Sequence, residues 1–353
     1  MVKDLCFEII ETCPNECRFC SSVSCIDKKQ IISFIDFKRV IDYFVKEDGI
    51  EELSLSGGEP FLHPEVFKMI EYSKSLGIKT IVFTSGIKKR TPLSQEEIEK
   101  YESKLNEKLT EIEENEPWND RLKEQIRKNY ETFINPGNFS PITKEELEYL
   151  KQIGLDKIVF DCQAYEHETD EYLMGRNRQK HICLLDSMIN ATRVGIETDV
   201  HFIPMKPNYK EIKDILEMLE LAGINNLSIL KFVPQGRGKM YKDSLMLTEE
   251  ELSEFMDILN QSKTIFSGNI RIGIPLLGEN NHMCNAGLEK LDIKYDGTIL
   301  PCPAFKELDE ETMKKYGIKN YNIYKNLEEV KTPGGKRKEP LCAKIYTKNL
   351  SEQ

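Results

Sequence analysis

A chain of 353 residues with 39% hydrophobic and 31% charged residues carries enough apolar content for a sizeable core and too much for a disordered chain. Asp+Glu 60 against Lys+Arg 49 leaves a net charge of -11, which argues against a general nucleic-acid binder, because phosphate neutralisation needs a cationic surface. No apolar run approaches the roughly 20 residues of a membrane span, and Glu8 and Glu11 interrupt the first apolar stretch where a signal peptide would need its apolar centre. A cytoplasmic protein with no membrane partner is expected, made of one large domain and a smaller one.

Along the first two-thirds of the chain, short apolar runs alternate with amphipathic stretches, the pattern of βα units around a parallel sheet. Strands are expected at 5–11, 52–56, 80–84, 157–162, 197–203 and 226–233. Phe37, Val40, Ile41, Phe44 and Val45 form a helical stripe, as do Ile212, Ile215, Leu216 and Leu219, with Gly223 placed to end the second helix. Thr143 with Glu146 and Thr248 with Glu251 read as capping boxes. Six such units suit an open, partial barrel or a doubly wound sheet.

Between the third and fourth strands lie about fifty residues more than an ordinary crossover needs. Ile98, Tyr101, Leu105, Leu109 and Ile112 form one stripe, and Trp118, Leu122, Ile126, Tyr130 and Phe133 another. Residues 94–135 therefore read as an acidic helical hairpin, either a solvated insertion or a lid or docking arm for substrate. From about 268 the pattern changes to short strands and turns, with strands expected at 290–294 and 298–300 flanking a hairpin turn at Tyr295-Asp296-Gly297. The basic loop 331–338 reads as a solvated one.

Ten cysteines in a cytosolic chain of this size point to metal or catalysis rather than disulfides. Cys13, Cys17 and Cys20 stand within eight residues directly after the first strand, so three soft thiolates can converge on a zinc or iron–sulfur centre. A structural zinc site would want a fourth ligand at once, and Cys25 stands at the wrong spacing. One metal corner is left for a group that is not protein.

The spacing C-x3-C-x2-C, with Phe19 before the third cysteine, resembles the cluster motif of the radical S-adenosylmethionine (SAM) enzymes. Ser56-Gly57-Gly58-Glu59-Pro60 after the second strand resembles their GGEP motif, where paired glycines would let backbone carbonyls approach the methionine ammonium. Thr84-Ser85-Gly86 resembles a Thr-Asn-Gly at the third strand, Val159-Phe160-Asp161 a Ser-Leu-Asp at the fourth, and Pro234-Gln235-Gly236-Arg237 the Pro-x-Gly-Arg that closes the sixth. His167, Asp170 and Gly175 loosely echo the stretch after the fourth strand. The resemblance covers most of residues 1–237, with the 91–138 insertion as the chief departure.

It implies an α/β fold, a partial (β/α)6 TIM-like barrel over 1–237 with a helical insertion at about 91–140. A linker helix region at 238–267 and a small α+β cluster domain at 268–353 would follow. It implies a [4Fe-4S] cluster on Cys13, Cys17 and Cys20 that binds SAM, and reductive cleavage of SAM to a 5′-deoxyadenosyl radical that abstracts a hydrogen atom. Gly57, Gly58, Glu59 and Pro60 would position the methionine end, Thr84, Ser85 and Asp161 the ribose side, with Arg237 a further cofactor contact. A reductant such as flavodoxin or ferredoxin is implied as partner.

Cys284, twelve residues, Gly297, four residues and Cys302 resemble the start of the SPASM and twitch auxiliary-cluster domains. Only Cys342 follows, so one auxiliary iron–sulfur cluster of the shorter twitch type is implied, with Cys284, Cys302 and Cys342 as ligands. Cys6 and Cys183 read as core, and Cys162 as a hydrogen-atom donor at a strand end. His63 and His201 lie near site loops or strands without a metal-binding spacing. Auxiliary clusters accompany peptide modification in this family, so a ribosomally made peptide is the expected substrate. The alternatives are a small-molecule enzyme, such as a sugar or cyclitol dehydrogenase or a cofactor-biosynthesis cyclase, and a non-catalytic zinc-binding protein. The first strand begins almost at once, so leader recognition is expected from a separate chain.

Overall fold

The computed structural model describes residues 1–89, 94–134, 139–272, 283–338 and 340–342. Its strands are β1 (Asp4–Ile10), β2 (Glu52–Gly57), β3 (Lys79–Thr84), β4 (Ile87–Lys89), β5 (Phe139–Pro141), β6 (Lys157–Asp161), β7 (Glu197–Phe202), β8 (Asn226–Ile229), β9 (Asn269–Ile272), β10 (Lys290–Ile293), β11 (Thr298–Leu300) and β12 (Tyr321–Asn322). The helices are α1 (Phe34–Glu47), α2 (Val66–Ser75), α3 (Gln95–Asn115), α4 (Asp120–Ile134), α5 (Lys144–Gln152), α6 (His167–Met174), α7 (Arg178–Val194), α8 (Ile212–Leu221), α9 (Arg237–Met240), α10 (Lys242–Leu245), α11 (Glu249–Ser262) and α12 (Glu310–Lys315).

The six expected barrel strands are all present, side by side and parallel, in the order β1-β2-β3-β6-β7-β8. This is the α/β, partial TIM-like arrangement that the alternation of elements implied. The sheet runs further than six strands, however. β9 pairs parallel with β8 at one edge and β10 pairs parallel with β1 at the other, and β11 and β12 continue beyond β10 antiparallel. The change of pattern near 268 is therefore no break in the sheet. The open edges of β1 and β8 each carry unpaired backbone groups, and the later strands satisfy them.

Strand alternation sorts the residues into two faces. Leu5, Phe7 and Ile9 of β1, Leu53 and Leu55 of β2, and Ile158 and Phe160 of β6 are buried in the main core with the helices. Phe7 and Phe37 of α1 pack with ring centroids 5.4 Å apart and planes tilted by 35°. The predicted stripe of α1 is buried at Phe37, Val40, Ile41 and Phe44, and Ser33 caps the helix. Both capping boxes form, at Thr143 for α5 and Thr248 for α11, each cap contributing about 1 kcal/mol. The opposite, inner face mixes polar residues with Ile81, Phe83 and Val159. Cys6 stands level with Ser54 and Asp292, and Asp161 with His201.

Residues Lys88–Ser140 form a compact unit of their own, close to the expected insertion. The start of the expected insertion at Thr91, the hairpin end at Asn135 and the Phe133 side chain lie outside the described residues. Within the unit α3 and α4 are joined by a short turn whose Pro117 carbonyl accepts from Lys123 Nζ at 2.9 Å. Lys123 is buried, pairs with Glu113, and meets Asp120 at 3.3 Å. Trp118 departs from its expected place in the packed stripe. It stands in the turn, 77% exposed, because the residues before Asp120 are outside the helix.

Candidate metal-cluster site

In a parallel sheet the C-terminal strand ends share one rim, where α/β folds place their chemistry. The loop after β1 carries Cys13, Cys17 and Cys20, and the loop after β2 carries Gly57 to Pro60. The two loops are laced together. Gly58 N–H donates to the Ile10 carbonyl at 2.6 Å and Glu59 N–H to the Thr12 carbonyl at 2.9 Å.

The glycine pair has a steric reason within the chain itself, beside the cofactor approach expected of it. A Cβ on Gly57 would stand 2.3 Å from the Ile10 oxygen, and one on Gly58 would stand 2.1 Å from the Thr12 oxygen. Both side-chain directions point into the backbone of the cysteine loop. The glycines therefore let the two loops close on each other, and Gly57 also has φ of +131°.

Glu59 is completely buried, and its carboxylate accepts from Thr84 Oγ1 (2.7 Å), Ser85 N (2.7 Å), Ser85 Oγ (2.5 Å) and Phe61 N (3.0 Å). Burial raises its pKa and these donors oppose the rise. Glu59, Thr84 and Ser85 thus tie the ends of β2 and β3 together. Pro60 is buried at the first position of a short 3-10 turn.

The three thiols sense one another. Burial raises the Cys13 thiol well above its ordinary value, with Cys17 the next cause and Cys20 adding to it. Burial also raises Cys17, Cys20 adds to this, and the Arg176 and Arg237 charges oppose it. No three His, Cys, Asp or Glu side chains among the described residues are arranged about a single ion. The fit to a metal group rests on donor chemistry: three soft sulfurs in one loop, flanked by two guanidinium groups. Asn15 inside that loop is buried, with neither amide atom partnered among the described residues. Cys25 contributes through its backbone, accepting from Cys13 N at 3.1 Å.

Arg237 is tied to the backbone of the cysteine loop and the residues after it. Its Nε donates to the Cys17 carbonyl at 2.8 Å and its Nη2 to the Ser24 carbonyl at 2.7 Å. From the other side, Glu16 N and Arg18 N donate to the carbonyls of Met174 and Leu173 at the end of α6. Two arginine-containing segments therefore brace the cysteine loop.

The residue that sequence reasoning missed is Arg176. It is completely buried, pairs with Asp170 Oδ1 at 3.3 Å, and donates to the Asp161 carbonyl at 2.9 Å. Its Nε has no partner among the described residues. Asp170 also holds His181 Nδ1 at 3.0 Å. The signal was the stretch after β6, where Asp170 and Gly175 were singled out and their neighbour was not. Asp161 stands at the rim with its carboxyl pushed up to about 6 by burial, against the Arg176 charge. Cys162 is completely buried in the apolar core, its thiol pushed up to about 12 by burial. The core around it, not the inner face, is what this thiol meets.

The second thiol set comes together in one apolar cluster. Cys284, Ala286, Phe305 and Leu341 form it, and Cys302 and Cys342 pack against it. The β10–β11 hairpin turns at Gly297 as expected, with φ of +82°. Cys284 and Arg337 exchange two backbone hydrogen bonds of 2.8 Å, which brings the Cys342 segment back to Cys284. Burial pushes the Cys302 thiol up to about 12, with Lys290 opposing and Asp292 and Cys342 adding.

The Radical SAM superfamily model matches residues 7–103. A probable GTP 3′,8-cyclase of Methanococcus aeolicus is 23% identical over 315 residues, 85% of each chain. The PqqA peptide cyclase of Bradyrhizobium diazoefficiens is 18% identical over 307 residues, 85% of this chain and 66% of that protein. The structure of Streptococcus suis SuiB bound to S-adenosylmethionine superposes with a TM-score of 0.63 at 16% identity, over 94% of this chain and 65% of SuiB. The chain thus spans about two thirds of the length of the last two proteins. The cysteine loop after β1 and the barrel architecture agree with these likenesses, and residues 7–103 match the radical SAM superfamily.

Proposed function

We propose that this radical SAM enzyme modifies a ribosomally synthesised peptide by crosslinking, oxidation or epimerisation, with the aid of one auxiliary iron–sulfur cluster. Cys13, Cys17 and Cys20 would hold a [4Fe-4S] cluster and, with it, S-adenosylmethionine; Cys284, Cys302 and Cys342 would hold the auxiliary one. When bound, the first group supplies a 5′-deoxyadenosyl radical for hydrogen abstraction. Arg176 would take the methionine carboxylate, since a buried guanidinium with a spare N–H calls for an anion. The rim residues Gly57 to Pro60, Thr84, Ser85 and Asp161 would shape the cofactor's surroundings, and Arg237 would hold the loop that carries the thiols. An external one-electron donor such as flavodoxin or ferredoxin would complete the system.

The observation that carries the peptide reading is the second thiol set, gathered in one apolar cluster next to β10. A redox group there would stand beside the inner face and could accept an electron from an oxidised substrate carbon. SuiB, solved with its precursor peptide SuiA, and the PqqA peptide cyclase act on peptides by their names, which supports the reading. A small-molecule cyclase is the second reading, favoured by the cyclase relative that matches 85% of each chain.

Anaerobic reconstitution tests both. Cys13→Ala, Cys17→Ala and Cys20→Ala are each expected to abolish 5′-deoxyadenosine formation, whereas Cys25→Ala keeps it, because Cys25 acts through its carbonyl. Replacing Cys284, Cys302 and Cys342 together should remove about four irons per chain. Incubation with a short peptide encoded beside the gene should give a mass change in that peptide. Conversion of GTP with no peptide change would replace the peptide reading with the cyclase one.

A further inference from the structure

The inner face of β1 and β10 holds acceptor capacity that the fold leaves unused. Asp292 is completely buried, and its carboxylate meets no nitrogen or oxygen donor among the described residues, its one side-chain partner being the weak Cys6 thiol. Glu8 is 2% exposed and its Oε2 is likewise unpartnered, while its Oε1 meets the Lys306 ammonium. Asp4 pairs with Lys290 at 2.8 Å and keeps Oδ1 unpartnered. Each buried acceptor left unsatisfied costs about 1–3 kcal/mol, so Asp292 and Glu8, whose carboxylates act on each other, call for a donor.

The local charges tell the same story. Three carboxylates face two ammonium groups, and both lysines have other anionic or polar company. Lys306 also donates to Ser22 Oγ at 2.6 Å, two residues past Cys20, and Lys290 feels the Cys302 thiol. The cross-strand neighbour of Asp292 is Cys6, a weak thiol donor. Burial, and then Glu8, push the Asp292 carboxyl up to about 7 against Lys306, as expected for a carboxylate short of a cation.

We propose that Asp292 and Glu8 form a subsite for a protonated amine of the substrate, between the radical-cluster loop and the C-terminal thiols. This rests on reading the inner face as the substrate chamber, and it deepens that reading. An excess of buried carboxylate suits a peptide's ammonium group and repels a triphosphate. Lys306 reaches this place on a long, flexible stem from the segment after Cys302, so an arriving amine would join it or take its position on Glu8.

The test uses the full, anaerobically reconstituted chain and ligand-observed NMR titration with n-butylammonium and its neutral isostere 1-butanol. The ammonium should bind about tenfold or more tighter than the alcohol, the preference expected of a charge-assisted hydrogen bond. Asp292→Asn should erase that preference, Asp292→Glu should keep it, and Glu8→Gln should weaken it. Equal binding of the two probes to the wild-type chain would overturn the subsite, as would an unchanged preference in Asp292→Asn and Glu8→Gln. Substrate-free cleavage of S-adenosylmethionine by the wild-type chain is read separately. Cleavage without amine preference rejects the subsite alone; its absence rejects the enzyme reading, whatever the probes do.

Discussion

Gly58→Ala isolates what the glycine pair is for. The new Cβ would lie 2.1 Å from the Thr12 oxygen and 2.5 Å from the Glu11 oxygen, and ordinary contact begins at 3.4 Å. Both obstacles are backbone, so one loop must retreat by more than an ångström. That retreat pulls on the Gly58–Ile10 and Glu59–Thr12 hydrogen bonds, now 2.6 and 2.9 Å long. Two hydrogen bonds at about 1 kcal/mol each, together with overpacking, give a loss of about 3–5 kcal/mol. Gly77→Ala is the control. Gly77 has φ of +76° but nothing within 4 Å of its Cβ direction, so it should lose only about 1 kcal/mol, the cost of left-handed backbone. The assay is the urea midpoint of the metal-free chain under anaerobic conditions, with iron and sulfide counted after reconstitution. Gly58→Ala should fall well below Gly77→Ala in stability, and only Gly58→Ala should lose iron. A Gly58→Ala protein with wild-type midpoint and iron content, defective solely in S-adenosylmethionine binding, would refute the loop-closure argument and restore cofactor approach as the reason for the glycine.

Two further outcomes follow from buried charge. Asp170→Ala strips Arg176 and His181 of their shared partner in a fully buried place and should destabilise the chain by about 3–5 kcal/mol, read as a lower urea midpoint; a loss under 1 kcal/mol would mean that Arg176 is held by something else. His201 is depressed to about 3 by burial first, then by the Arg271 and Lys157 charges. The unfolded chain therefore takes up a proton near pH 6.5 that the folded chain refuses, and stability should decline as pH falls from about 6.5 towards 3. His201→Gln should flatten that decline between pH 7 and 5 in urea titrations, and an unchanged slope would rule it out.

The strands that carry the site were legible because each is a run of apolar residues closed by a distinctive turn. Cys13, Cys17, Cys20 and Gly57 to Pro60 could be placed on the rim from sequence alone, since a cysteine loop and a glycine turn each followed a strand. Meaning was harder to read than position. The glycines' Cβ directions, filled by Ile10 and Thr12, belong to a contact between two loops that are far apart in the chain. Arg176 carries no periodic signal: a polar residue in a short connection looks solvated until α6 and α7 fold around it. β9 was hidden for a related reason, having four residues, too few for a pattern. The strand at 290–294 was legible from its hairpin turn, but its pairing with β1, like that of β9 with β8, is decided by which backbone edges remain open. Trp118 shows the converse, a large apolar residue at helical spacing left outside the helix by the turn before Asp120.

The place of β1 between β2 and β10 has a consequence in time. Asp4 meets Glu52 on one side and Lys290 on the other, and the second partner lies 286 residues along the chain. At about 5–20 residues per second of synthesis, the β10 side of β1 stays open for roughly a quarter of a minute to a minute after β1 emerges. During that interval the cysteine loop can meet the Gly57–Gly58 turn and its Arg237 brace, while the Glu8 and Asp4 carboxylates still face water. The last hundred residues then close a door as well as complete a sheet. On the ligand sets proposed above, metal delivery to the first thiol set could precede that closure; delivery to the second could not, because its three cysteines arrive only with the strands that shut it.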